Sequence, residues 1–280
     1  MHFAGIIANL QKPSSVAVAE KLIKALSANS IRFILEPALA AKLHLEAFSG
    51  SDLYNKDFLF VIGGDGTIIS QAVHIIEKGI RTPVVGINTG RVGFLADIEA
   101  SDLELRIHDI ACGDYEIENR SVLYTETSGK QKIYALNEFG IVRKQSPHVI
   151  EVELSIDGFF VEKYLCDGIL VSTPTGSTAY SFSAGGPIVN PKVKCAVVVP
   201  ICAYSINPRP IVVGSDSVIR ILCRDKTGNT MLTADGKAVA DLAGKSTVSI
   251  KCSEDAVSFL KFKNDNYFNR FGKKLLKLQS

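Results

Sequence analysis

Apolar residues in the first third of the chain fall into two alternating rhythms. Short apolar runs at 3–8, 31–35, 58–62 and 83–87 have strand length. Between them come helical patterns. Pro13 stands where a helix would begin, and Val16, Ala17, Leu22, Ile23 and Leu26 give it a core face. After residue 67, Ile68, Ile69, Ala72, Val73, Ile75 and Ile76 share another helical face, with Gly79 as a stop. Strands separated by helices predict a parallel sheet with helices packed on it. Only 38–48 suggests a helix within the weakly patterned stretch 36–57.

From about residue 112 the rhythm changes. Strand-length segments recur at 122–127, 133–142, 149–156, 159–164, 169–171, 196–202, 210–213, 218–223, 231–234 and 248–252. Asp157-Gly158, residues 225–229 and Asp235-Gly236 read as turns. The expected fold is therefore an α/β N-terminal domain with a Rossmann-like parallel sheet, plus a β-rich C-terminal domain. The division is placed at 1–100 and 101–264, with the polar helical stretch 97–114 as a linker. A basic helix within 265–280 is expected to rejoin the first domain, its Arg270, Lys273, Lys274 and Lys277 forming a solvated face.

A length of 280 residues fits two domains, and 46% hydrophobic with 21% charged residues supplies ordinary cores. The net charge of +2 gives no global field for nucleic acid or an anionic membrane. No apolar run reaches the roughly 20 residues of a membrane span. The N-terminus lacks a secretory pattern, and six cysteines without a C-x-x-C pair read as buried thiols in a reducing compartment. These features predict a cytoplasmic protein with neither a nucleic-acid nor a membrane partner, and no zinc site.

The chemistry begins at Gly63-Gly64-Asp65-Gly66-Thr67, between an apolar strand and a helix. Glycines let backbone amides turn toward an anion, and the helix adds the positive end of its dipole. A carboxylate there repels phosphate unless it binds a metal or takes a proton from a hydroxyl. That combination points to phosphoryl transfer; the plain alternative is a helix cap. Residues 88–94 form a second glycine-bearing turn, expected beside the first at the carboxyl edge of the sheet. Asn137-Glu138 interrupts an apolar strand pattern and needs polar partners, such as the hydroxyls of a ribose or solvent. Residues 167–191 form a loop dense in hydroxyls, glycines and prolines that suits a polar, planar ligand, with Tyr180 offering an aromatic face.

Together, residues 63–67, the turn at 86–95, Asn137-Glu138 and the loop 173–191 resemble the NAD kinases, whose fold is shared with diacylglycerol kinases. The resemblance implies transfer of the terminal phosphoryl of ATP to the adenosine-ribose 2′-hydroxyl of NAD, with Mg²⁺ or another divalent cation. It makes Asp65 the catalytic carboxylate and places Gly66 and Thr67 in the phosphate-facing turn. Asn137 and Glu138 become ribose-and-phosphate contacts, His148 an imidazole contact and Asp167 an acid for the nicotinamide half. Thr178, Ala179, Tyr180 and Ser183 become adenine and nicotinamide contacts. Leu165 stands where many members carry Arg or Lys, Lys237 where Gln is usual, and Ala203-Tyr204 where Pro-His is common. Members form homodimers or homotetramers in which a neighbouring subunit can complete the site. The competing classes are a lipid or sugar kinase of the same superfamily, and a non-catalytic dinucleotide-binding regulator.

Overall fold

The computed structural model describes residues 2–45, 53–90, 93–127, 130–144, 148–204, 208–263, 267 and 271–272. The chain divides into two compact units, Met1–Asn119 with Val257–Ser280, and Arg120–Ala256.

The first unit is built on four parallel strands, β1 (Phe3–Ala8), β2 (Arg32–Leu35), β3 (Phe58–Gly63) and β4 (Val84–Asn88), in the order β2-β1-β3-β4. Every residue of β3 and β4 is buried, as expected for parallel strands covered by helices. Helix α1 (Pro13–Ala28) links β1 to β2. Its buried face runs through Val18, Ala19, Leu22, Ala25 and Leu26. Val16 and Ala17, expected on that face, lie off it, because Val18 and Ala19 are the positions three and four residues before Leu22. Helix α2 (Pro37–Leu43) covers the first part of the helix expected at 38–48, and residues 46–48 lie outside the described ones. Helix α3 (Asp65–Glu77) turns Ile68, Ala72, Ile75 and Ile76 inward.

A two-residue strand β5 (Ile98–Glu99) pairs with β4, and helix α4 (Leu103–Ala111) follows. The stretch expected as a linker is thus structural: Leu103, Ile107 and Ile110 of α4 sit in the same core as β1, β3 and β4. That core moves the division of the chain to residues 119–120. It also takes in Leu260 and Phe262 from near the C-terminus. The helix expected at 269–279 lies outside the described residues except at 271–272.

The second unit is antiparallel. Its strands are β6 (Glu116–Glu126, entering from the first unit), β7 (Lys132–Ala135), β8 (Glu138–Arg143), β9 (Ile150–Ile156), β10 (Phe159–Cys166), β11 (Gly168–Ser172), β12 (Cys195–Ile201), β13 (Ile211–Gly214), β14 (Ile219–Ala234) and β15 (Lys237–Lys261). The path β13-β12-β11-β8-β14 carries the sheet, and the β9–β10 hairpin packs on β14 through β9. Alternate inward residues such as Val152, Leu154, Ile169, Val171 and Ile221 form its core.

Two sequence expectations change here. The run 133–142 is not one strand, because a bend at Leu136 and Asn137 separates β7 from β8. The turn expected at 225–229 does not reverse the chain. β14 continues through it, and its pairing with β15 slips between Asp225 and Thr230. Thr230 Oγ1 donates to the buried Asp225 carboxylate at 2.8 Å, which satisfies the polar pair inside the bulge.

Candidate active site

In the first unit, β3 runs into the glycine turn and α3 leaves it, with Gly64 extended at the N-cap. Asp65 opens the helix, where the dipole favours its negative charge. Backbone amides from the turn after β4 hold its carboxylate: Phe94 N donates to Oδ2 at 2.9 Å and Leu95 N to Oδ1 at 3.2 Å. The carboxylate is thereby fixed at both oxygens. Gly93 is required by closeness, since a Cβ there would lie 2.0 Å from Asp65 Oδ1. The second turn therefore does come beside the first, as its position after the neighbouring strand suggested. Thr67 Oγ1 accepts from Asn9 Nδ2 at 3.3 Å, tying the end of β1 to the same place.

In the second unit, β8, β11 and β14 end together, with Glu138 opposite Ser172 and Phe139 opposite Ala234. The tight β14–β15 turn at Asp235-Gly236, both residues at positive φ, organises this end. Asp235 accepts the amides of Leu136 at 2.9 Å, Asn137 at 2.6 Å and Glu138 at 3.2 Å, and returns its own amide to Glu138 O. Those bonds create the bend that splits the expected strand. Asn137 therefore sits in the bend, half-buried, and Glu138 opens β8 with only 6% of its surface exposed.

Glu138 Oε2 is buried and has no hydrogen-bond partner among the described residues. Burial, and then the nearby Asp235 charge, push the Glu138 carboxyl up to about 8. Burial also raises Asp235, but three amides and the Lys237 charge hold that rise back. Glu138 is accordingly the member of the pair that keeps a proton near neutrality, and it can donate to a ligand oxygen. Its folded value exceeds the unfolded one. The associated stability is complete below about pH 4.5 and is lost as pH rises through about 8. Glu138→Gln should remove that dependence: urea unfolding from pH 5 to 9 should show a loss on the order of a few kcal/mol in the parent but not in the variant. Parallel pH curves for the two proteins would show that Glu138 is not the titrating group.

The hydroxyl-rich loop divides its labour. Ser172, Thr173, Thr175 and Ser177 are buried and spent on the loop itself. Thr173 Oγ1 donates to Leu136 O at 2.6 Å, Ser177 Oγ to Pro174 O at 2.6 Å, and Arg120 Nη1 to Thr175 Oγ1 at 3.2 Å. Gly176 allows close approach to the bend, since a Cβ would come within 2.1 Å of Asn137 O. Thr178, Ala179, Tyr180 and Ser183 lie beyond this scaffold and reach the surface, Tyr180 with half its area exposed. Lys237 is exposed beside Asp235.

The remaining expected residues lie at the opposite end of the same strands. Asp167 precedes β11, Leu165 is near the end of β10, and exposed His148 precedes β9. Five residues of extended chain from Asp167 to Ser172 span about 17 Å. Asp167 is held there by Arg143, whose Nε lies 2.9 Å from Oδ1. Leu165, 40% exposed, offers no charge. Sequence reasoning missed Asp235, Gly93, Arg120 and Arg143. Asp235-Gly236 was legible only as a turn, and the long-range partners of the other three leave no local pattern.

Two family models match, described as the ATP-NAD kinase N-terminal domain over residues 4–115 and the ATP-NAD kinase C-terminal domain over residues 136–262. The NAD kinase of Caldanaerobacter subterraneus subsp. tengcongensis is 34% identical over 98% of this chain and 99% of its own. The chain belongs to the NAD kinase family. The bifunctional NADP phosphatase/NAD kinase of Methanococcus maripaludis is 37% identical over 96% of this chain, which spans 48% of that protein. Among solved structures, yeast NADH kinase complexed with NADH superposes with a TM-score of 0.87 at 26% identity, over 100% of this chain and 89% of that one. An Archaeoglobus fulgidus NAD kinase in complex with ATP gives 0.78 at 29% identity, over 98% of each chain. Both solved structures carry the α/β and β-rich pairing of this fold. This NAD kinase family member is thus a phosphotransferase that uses ATP as phosphoryl donor and makes NADP from NAD.

Proposed function

We propose that Asp65 is the catalytic carboxylate, taking the proton of the adenosine-ribose 2′-hydroxyl as that oxygen attacks the terminal phosphorus of ATP. The carrying observation is its carboxylate, held by Phe94 and Leu95 amides at the start of α3. An acid so restrained accepts a proton in one direction, and such positioned proton transfer is worth about 10²–10⁴ in rate. Gly66 and Thr67 present the turn to the transferring phosphate. Asn137 and protonated Glu138 bind sugar hydroxyl or phosphate oxygens, which supports a role for the orphaned Oε2. Thr178, Ala179, Tyr180 and Ser183 take the flat bases of the dinucleotide, and Lys237 adds a cation nearby.

Among the described residues no group of three or more His, Cys, Asp or Glu is arranged to hold a metal ion. Magnesium commonly takes one or two carboxylates together with substrate phosphates and water, and a single restrained Asp65 fits that mode. Mg²⁺ or another divalent cation would supply charge neutralisation on the transferring phosphoryl group. Asp167 stands about 17 Å of strand from Ser172, with Leu165 near the end of β10 and His148 before β9. In this proposal they serve the dinucleotide of a second copy, in a homodimer or homotetramer. Six free cysteines support a cytoplasmic location, and no helix among the described residues is long and apolar enough to cross a membrane.

A coupled assay of NADP formation from ATP and NAD tests this proposal. Turnover should vanish with EDTA and return with Mg²⁺, while the melting temperature and NAD affinity stay unchanged because the cation arrives with ATP. Phosphorylation of diacylglycerol or fructose 6-phosphate in place of NAD would overturn it. A fully active preparation that sediments as a monomer would remove the second copy from the site.

A further inference from the structure

Strand order places a topological switch between β1 and β3, because α1 leads from β1 to one side and the chain then crosses to β3 on the other. Open α/β sheets bind ligands outside the carboxyl ends of strands at such a point. Three turns meet there, and they are fastened to one another. Asn9 reaches Thr67 at 3.3 Å, Ser14 Oγ donates to Thr89 O at 3.2 Å, and Ser15 Oγ lies 3.4 Å from Thr89 Oγ1.

The Lys12 ammonium stands among these turns. Its Nζ lies 3.6 Å from where a Cβ on Gly64 would be and 4.0 Å from the same position on Gly90. It makes no ion pair among the described residues. The local energetics oppose a cation here. Lys12 is the N-cap of α1, with no side-chain capping bond, and α3 begins at the neighbouring Gly64 turn. Both helices turn their positive ends toward it, and an N-cap position favours an oxygen-bearing side chain. Lys12 is exposed and breaks a local rule with no ion pair among the described residues, and such violations are expected at functional positions.

We infer that Lys12 binds the phosphate chain of the phosphoryl donor, alongside the glycine turn that carries Asp65. This rests on the ATP-dependent reaction assigned above. The ammonium offsets the repulsion that the Asp65 carboxylate exerts on an incoming triphosphate, and the Gly64 and Gly90 turns leave the space a phosphate needs. The residue is a substrate contact for the donor and has no role toward NAD.

Steady-state kinetics of Lys12→Gln and Lys12→Arg, with ATP and NAD varied separately, test the assignment. Lys12→Gln should raise the KM for ATP about ten- to hundredfold, the scale of a lost charge-assisted hydrogen bond, with the KM for NAD unchanged. Lys12→Arg should recover most of the loss. The melting temperature of Lys12→Gln should stay level or rise, since a cation leaves two helix N-termini. Direct titration with tripolyphosphate should show the same loss of affinity. That arm reads Lys12 even if the parent protein makes no NADP, a result that would overturn the assigned reaction instead. An unchanged KM for ATP with unchanged tripolyphosphate binding would overturn the role of Lys12, as would equal rises in both KM values with a lowered melting temperature.

Discussion

Asp65→Asn is expected to lower kcat for NADP formation by about 10²–10⁴-fold while leaving the affinity for NAD close to the parent value. The substitution removes the proton acceptor and also disturbs its setting. Both carboxylate oxygens accept backbone amides, whereas an asparagine offers one oxygen and one NH₂ group. One of the Phe94 and Leu95 amides would then face a donor. The loss of that bond costs about 1 kcal/mol of stability, far less than would unfold the domain. Kinetics together with calorimetric NAD titration separate the two effects. A variant that retains parental kcat would show that the carboxylate is not the proton acceptor.

Gly93→Ala should reduce kcat about 10²-fold in a protein that still folds normally. The new methyl would overlap Asp65 Oδ1, the far end of a side chain that can swing aside. The swing gives up the Phe94 and Leu95 amide bonds, about 1 kcal/mol each, and the carboxylate moves; a displacement of about 1 Å at a reacting group can cost about that factor. A double-mutant cycle isolates the cause. In an Asp65→Asn background, Gly93→Ala should cost almost nothing further, because the group it displaces no longer takes the proton. Additive losses in the cycle would mean that Gly93 acts on something other than Asp65.

The two substitutions mark the boundary of what local pattern reveals. The run from β3 through the glycine turn into α3 is legible because an apolar strand, a cluster of glycines and a helical period follow one another within twenty residues. Asp65 is equally plain, since a carboxylate is unusual in an anion-binding turn. That its oxygens are held by amides 29 and 30 residues away leaves no trace in the local sequence. Gly93 consequently looks like any loop glycine.

The second unit shows the same limit more strongly. Asn137-Glu138 stands out as polar within an apolar run, but the bend that positions it comes from Asp235, nearly a hundred residues later. Asp235 reads as half of an Asp-Gly turn, which it also is. The hydroxyl-rich loop suggests a ligand surface throughout, yet burial assigns Ser172, Thr173, Thr175 and Ser177 to scaffolding. Composition shows that hydroxyls are plentiful; only tertiary hydrogen bonding decides which of them remain for a ligand. The linker expected at 97–114 fails for a related reason. Leu103, Ile107 and Ile110 form a narrow stripe on a helix interleaved with Glu104, Arg106, His108 and Asp109, and a stripe becomes core only when another element covers it.

The late arrival of Lys261 has a consequence for the newborn chain. Its ammonium lies 2.6 Å from Asp97, 164 residues earlier, and Phe259 aligns in parallel beside Val84 of β4. While the ribosome extends the polypeptide at about 5–20 residues per second, β4 and Asp97 wait roughly ten to thirty seconds for those partners. Throughout that interval Val84 lacks its parallel neighbour Phe259, and an acid destined for burial lacks the Lys261 ammonium. The N-terminal half therefore leaves the exit tunnel first but acquires its finished structure last.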